Sequence, residues 1–234
     1  MTLTVMRALV RGTVKRPSTT ALSDAKIDRW INWSQLTIAE LYSFPEMKSI
    51  DTSVSTVDGT KEYDWPSRTK EVYSVVLIDG NDSRKLDKVD ARTMHKDIPY
   101  QEEYSEGLST MYVDVGTSFF LHKIPDDAYQ LNIYLASLPV DLVSDSDEPT
   151  LLIKDDLIMS GATMRGFLEL REIGNKDSQD LYEKWLSIFN EELKVKINTS
   201  KNGKSIDSEP VLKPSPSVLG VTNEYWKDPM WGRR

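Results

Sequence analysis

Between Met111 and Leu170 the spacing of hydrophobic and polar positions changes period. The segment MYVDVGTSFFLHKIP predicts a hairpin, two short β-rich runs about Gly116-Thr117 closed by Pro125. In YQLNIYLASLP, Leu131, Ile133 and Leu135 alternate with Gln130, Asn132 and Tyr134, as in a strand with one buried face. Past Pro139 and the acidic loop DLVSDSDEP, the pattern becomes helical. LLIKDDLIMSGATMRGFLEL sets Leu157, Ile158, Gly161, Met164, Phe167 and Leu168 along one side. A small β-module handing over to a helical hairpin is an architecture rather than a catalytic signature.

The same rules extend to the rest of the chain. Ile27, Trp30, Ile31, Ser34, Ile38 and Leu41 share a face, which predicts a helix over about Asp24 to Tyr42. Ser23 stands at its N-cap and Phe44-Pro45 marks its end. SVSTV and TKEYDW flank Asp58-Gly59, a strong hairpin signal, and EVYSVVLI and RKLDKV flank Asp79-Gly80-Asn81. Residues 90–110 predict a short helix followed by a loop. Two helices follow the strands: Leu151 to Ile173, stopped by Gly174-Asn175, and Asp177 to Ile197. In the second, Leu181, Trp185, Ile188, Phe189 and Leu193 are spaced to face a partner, and the short link makes the pair antiparallel.

The expected class is therefore α+β. A three-helix layer, one N-terminal helix plus a C-terminal antiparallel helix pair, carries an inserted antiparallel β-sandwich or partly open barrel, because closure hides strand edges. The boundaries are a basic arm at 1–22, the first helix at 23–45, the β-module at 46–140, the helical hairpin at 141–198 and an extended tail at 199–234. That tail holds four prolines and little periodicity, and ends in Tyr225, Trp226, Trp231, Arg233 and Arg234. Alone it cannot bury enough apolar surface to offset its ordering entropy. Trp, Tyr and Arg dominate binding energy at interfaces, so these five residues are the candidate partner-binding set, for another protein or a neighbouring subunit. Folding back onto its own domain is the simpler alternative.

Charge sharpens this picture. The net charge of −8 conceals +4 over residues 1–22 and +2 over 199–234, which leaves −14 on the body between them. An acidic body does not suit a broad nucleic-acid grip, and basic ends suit docking on something else. The chain has no cysteine, which excludes disulfides, thiolate zinc sites and cysteine nucleophiles and fits a cytoplasmic product. No apolar run is long enough to span a bilayer, and the N-terminal apolar stretch is too short and too charged for a secretory signal.

Candidate chemistry is sparse. His95 and His122 belong to no metal-binding pair. The loop with Asp141, Asp145, Asp147 and Glu148 lacks the glycine and closing glutamate of a calcium loop, and its acids favour the following helix start instead. No serine sits in GxSxG, and no phosphate-cradling glycine loop occurs. No cofactor is expected, and the reading is non-enzymatic, although a carboxylate enzyme leaves no sequence spacing by which to exclude it.

Three stretches together resemble the head-to-tail adaptor (connector) proteins of tailed bacteriophages: DRWINWSQLTIAELYSFPEM, TVDGTKEYDWPSRTKEVYSVVLI, and FFLHKIPDDAYQLNIYLASLPVDLVSDSDEP running into the long helix. The resemblance covers roughly residues 23–197. It implies a structural protein of the virion neck, made in the host cytoplasm. In that family typically twelve copies form a ring beneath the portal. The ring closes the DNA-filled head, offers a platform to tail nozzle or tube proteins, and lets genomic DNA pass without specific binding. Carried onto this chain, residues 200–234 would grip the portal, with Tyr225, Trp226 and Trp231 as anchors and Arg233 and Arg234 meeting acidic surface. Other readings are a different neck or tail component, such as a tail-tube or tail-completion protein, and a β-sandwich glycan-binding module. The latter would need an exposed aromatic platform, for which Tyr63, Trp65, Tyr73 and Tyr112 are the candidates.

Overall fold

A computed structural model describes residues 1–14, 22–97, 105–151, 154–172 and 177–200. Its helices are α1 (Leu3–Thr13), α2 (Asp24–Leu41), α3 (Ala91–Asp97), α4 (Asp155–Glu172) and α5 (Asp177–Ser200). Its strands are β1 (Lys48–Ser55), β2 (Glu62–Asp64), β3 (Thr69–Asp79), β4 (Asp82–Val89), β5 (Met111–Asp114), β6 (Ser118–Leu121) and β7 (Gln130–Ser137). The class is α+β: α2, α4 and α5 form a helical layer, and the strands between α2 and α4 form one curled half-barrel sheet.

α4 is the centre of the helical layer. Leu157, Ile158, Ala162, Met164, Phe167 and Leu168 are all buried, together with Ser160 and Thr163, and over residues 155–170 only Asp156 is exposed. A helix covered on most of its circumference needs neighbours on several sides, and two glycines let them come close. A Cβ at Gly161 would collide with Ser34 Oγ of α2 and stand 2.9 Å from Phe189 Cε2 of α5. A Cβ at Gly166 would lie 2.8 Å from Cζ3 of Trp30. Trp30, with no exposed surface, donates its Nε1–H to Glu169 Oε1 at 2.8 Å. α2 thus runs antiparallel to α4, and α5 antiparallel to α4 in turn, with Ser160 Oγ 2.6 Å from Glu192 Oε2.

The N-terminal segment corrects an expectation. Residues 1–22 are not all an arm: Leu3, Met6 and Val10 of α1 are fully buried against α2 and α4, which adds a fourth long helix to the layer. Leu3, Met6 and Val10 recur at i, i+3 and i+7, the helical spacing of one inward stripe, but the four basic residues drew attention away from it. Residues 15–21 and the helix stop at Gly174-Asn175 lie outside the described residues.

The sheet order is β1-β7-β3-β4-β5-β6-β2. Two hairpins occur where expected: β3/β4, with Asp79 opposite Asp82, and β5/β6. The hairpin about Asp58-Gly59 does not. Gly59 does make the turn, at φ +72°, but β1 pairs with β7 and β2 with β6. Turn chemistry sets the local bend alone, whereas pairing follows burial across the sheet. β7 supplies buried Leu131, Ile133 and Leu135 and lies between β1 and β3, while β2 lays Tyr63 over Phe119 at 5.6 Å between ring centroids. The sheet is also not wholly antiparallel. β4 and β5 run parallel, which the long connection through α3 permits. Of the two expected forms, the partly open barrel is the one found. Its concave face packs Tyr63, Val75, Leu77, Leu86, Tyr112, Phe119, Leu121, Leu131, Ile133 and Leu135.

Gly161→Ala should lower the unfolding free energy by ~1–3 kcal/mol in urea titration, since overpacking outweighs the helix preference for alanine, ~1 kcal/mol. Gly12→Ala, where a Cβ meets nothing within 4 Å, is the control and should be neutral or slightly stabilising. Equal stability of Gly161→Ala and the parent would show that the close approach at this point does not matter.

Candidate assembly surfaces

The sheet is fastened to the helical layer by polar groups at their junction. Asn32 of α2 uses its side-chain amide as a backbone peptide would, with Nδ2–H to Leu142 O at 3.0 Å and Oδ1 accepting from Leu142 N–H at 2.8 Å. Gln35 donates to Val140 O at 2.8 Å. Lys70 of β3 donates to Ala39 O at 2.6 Å, capping the C-terminal end of α2. Arg68, held in the left-handed region at φ +63°, donates to Pro139 O, and its own carbonyl accepts from Leu138 N–H at 2.8 Å. Lys154 is buried, 3.3 Å from Glu46 Oε1 and 4.9 Å from the Phe44 ring centroid.

The acidic loop 141–148 has a structural task at the same junction. Its backbone caps α1: Leu3 N–H donates to Asp147 O at 2.9 Å and Thr4 N–H to Asp145 O at 3.3 Å. The Arg7 guanidinium bridges Asp28 of α2 and Asp145 of the loop, and Arg11 binds Asp24. Asp147 folds the loop by accepting from Val143 and Ser144 N–H, both at 2.8 Å, and these bonds hold its carboxyl below the ordinary range. Asp141 stands 3.7 Å from Arg68 Nη2. Among the described residues no group of three or more His, Asp or Glu side chains is arranged to hold a metal ion. The basic side chains Arg7 and Arg11 of the expected arm are therefore engaged within the chain, not offered to a partner.

The other candidates are placed as follows. His95 is exposed on α3. His122 is buried, and its Nδ1 accepts from Thr110 N–H at 3.1 Å and Met111 N–H at 3.2 Å. Burial, with Lys123 nearby, pushes its pKa down. The four aromatics weighed as a glycan platform do not form one. Tyr63 and Tyr112 lie inside the half-barrel, and Trp65 stacks on Phe119 at 4.2 Å and donates to Asp114 Oδ1 at 3.2 Å. Tyr73 is exposed, with Lys48 Nζ 4.9 Å from its ring centroid. Tyr225, Trp226, Trp231, Arg233 and Arg234 lie outside the described residues, as does the tail from residue 201.

What the surface does offer is apolar relief on the edges of the helical layer. Val5 and Leu9 of α1 are each 46% exposed, on the side of the helix away from Leu3, Met6 and Val10. Leu181 of α5 is 39% exposed and Val195 is 61% exposed, on a stripe beside the buried Tyr182, Leu186, Phe189 and Leu193. Of the α5 positions that the spacing sets towards a partner helix, Phe189 and Leu193 are buried and Leu181 is not; the exposure of Val195 and of the α1 stripe is not visible in the sequence.

The described residues form a helical layer carrying an inserted half-barrel, joined by Asn32, Gln35, Arg68 and Lys70. A family model described as SU10 adaptor protein matches residues 1–209, and the chain belongs to that family of structural phage adaptors. The match takes in α1, beyond the span of the earlier resemblance. No curated protein matches the chain. No helix among the described residues is long and apolar enough to cross a membrane.

Two outcomes follow from these contacts. Arg7→Met should speed hydrogen exchange of the α1 amides at least about tenfold, ~1.4 kcal/mol, while β7 stays protected; unchanged exchange would remove Arg7 from the docking of α1. The neutral His122 ring accepts two N–H groups, so the unfolded chain binds the extra proton first as pH falls. Stability of the β-module should be full above the ordinary histidine pKa and decline as pH drops below it towards the depressed folded value. A His122→Asn variant, with a non-titrating acceptor, should show a flatter thermal-unfolding profile between about pH 7 and 5.

Proposed function

We propose that this chain is the head-to-tail adaptor of a tailed bacteriophage, a structural protein of the virion neck that assembles as a ring of twelve copies beneath the portal. The family match over residues 1–209 carries this reading. In it the ring joins the capsid to tail nozzle or tube proteins and forms part of the channel through which genomic DNA leaves. The segment 199–234 reaches to the portal, with Tyr225, Trp226 and Trp231 as aromatic anchors and Arg233 and Arg234 meeting acidic portal surface. One weak tail per copy gains large avidity when copies are held in a closed ring. The net −14 on the body between the two basic ends suits a conduit wall, since a wall that bound phosphates would slow DNA passage.

Native mass spectrometry of the chain alone and mixed with the portal of its phage tests the reading. The expected result is a ring stoichiometric with the portal; a chain that stays monomeric and ignores the portal would shift the reading to another tail component. Deleting residues 210–234 should leave a folded core with the unfolding midpoint of the parent and abolish portal capture. Capture of the truncated chain at normal yield would move the anchor elsewhere.

A further inference from the structure

α1 and α5 occupy opposite margins of the helical layer. α1 packs its inner stripe on α2 and α4, and the contacts at Gly161 and Ser160 put α5 against α4. Each margin helix keeps a second apolar stripe that the described residues cover only in part: Val5 and Leu9 are each 46% exposed on α1 and Leu181 is 39% exposed on α5. On α1, Val5, Ala8, Leu9 and Gly12 follow the i, i+3, i+4, i+7 spacing of one face, and a Cβ on Gly12 would meet open space. On α5, Leu181 and the half-buried Trp185 are one turn apart on a face rotated away from the buried stripe.

We propose that these two faces bind each other between copies: the Leu181–Trp185 face of one subunit seats on the Val5–Leu9 face of the next, in a head-to-tail contact. Three observations favour a second copy of this chain as the occupant. The first is direction. α2 runs against α4 and α5 against α4, while Arg7 at Asp28 and Arg11 at Asp24 make α1 run against α2. α1 and α5 are therefore antiparallel, and a neighbour's α1 beside α5 continues the up-and-down alternation of the layer. The second is height. Arg7 stands at Asp28, one half-turn from Trp30 on Gly166, and α5 passes Gly161 with Phe189. Leu181 and Trp185 then lie towards the same end of the layer as Val5 and Leu9, and each pair is spaced one turn, ~6 Å. The third is shape. Ala8 and Gly12 leave room for the Trp185 ring, and a Cβ on Gly12 would meet nothing within 4 Å.

The two faces differ, so the contact is heterologous and a rotation that closes makes a ring. This deepens the adaptor reading by naming the surfaces between copies, and it depends on that reading only for where assembly happens.

The chain has no cysteine, so introduced thiols report contact without background. The double variant Leu9→Cys/Leu181→Cys is treated with a bismaleimide of about one helix diameter, ~10 Å, both alone at high concentration and mixed with the portal. A ladder of covalently linked multimers is expected, and each single variant should stay monomeric on denaturing gels. Dimers from either single variant would overturn the head-to-tail contact in favour of a symmetric one, and absence of a ladder under both conditions would overturn it outright. In the otherwise unaltered chain, Leu9→Lys alone should cut multimer formation at least about tenfold and Leu9→Lys with Leu181→Glu should restore it; no restoration counts against the pairing. Portal capture measured on the same samples separates the two claims: capture without a ladder keeps the adaptor and discards this contact, and a ladder without capture does the reverse.

Discussion

At Gly161 three helices meet around the space left by one missing side chain. Ser34 of α2 and Phe189 of α5 both occupy the volume that a Cβ would claim, and Gly166 gives the same room to Trp30 five residues on. The rest of the molecule depends on this approach. It holds Trp30 where its indole N–H meets Glu169, and Lys26, 3.1 Å from the same carboxylate, closes the pair. Burial opposes the charge on Glu169, but Trp30 and Lys26 outweigh it and hold the carboxyl below its ordinary range. Close packing of this kind is sensitive to single methyl groups, since interiors are filled to crystal-like density.

From that centre, polar side chains join apolar ones such as Ala136 and Leu142 in carrying the order outward. Asn32 and Gln35 lie on the flank of α2 and treat segment 140–142 as if it were a neighbouring strand. Buried backbone groups need partners, and here side-chain amides provide them. Lys70, Arg68 and Lys154 tie the sheet to the same helix end. The loop 141–148 then serves α1, capping its first turn with carbonyls and bridging it through Asp145. Acids that look like surface charge in the sequence are thus part of how the N-terminal helix is seated.

For an adaptor this construction has a mechanical sense. The helical layer is braced at its centre and along α1, and the half-barrel is fixed to one end of it by directional bonds. The membership of the chain in the SU10 adaptor family fits such a braced unit. The partly exposed apolar faces at the margins of the layer are where the proposed contact between copies would act.

The sequence by itself determined the elements. Period-two runs at Leu131–Leu135 and helical spacing at Ile27–Ile38 depend on residues a few positions apart, and burial of one face is enough to impose them. The inserted sheet and the antiparallel pair α4/α5 were legible for the same reason, and the phage-adaptor class was legible in the running text of three segments. Pairing partners were not. Asp58-Gly59 shows a bend and cannot show that β1 pairs with β7 instead of β2, because that choice is made by the buried face of β7, whose partners lie from Ser55↔Gln130 to Lys48↔Ala136, far along the chain. Nor could charge counting show that Arg7 and Arg11 are engaged at Asp28, Asp145 and Asp24, since those partners come together only when α1 is docked. Local spacing determines which residues share a face; only the tertiary structure decides what that face meets.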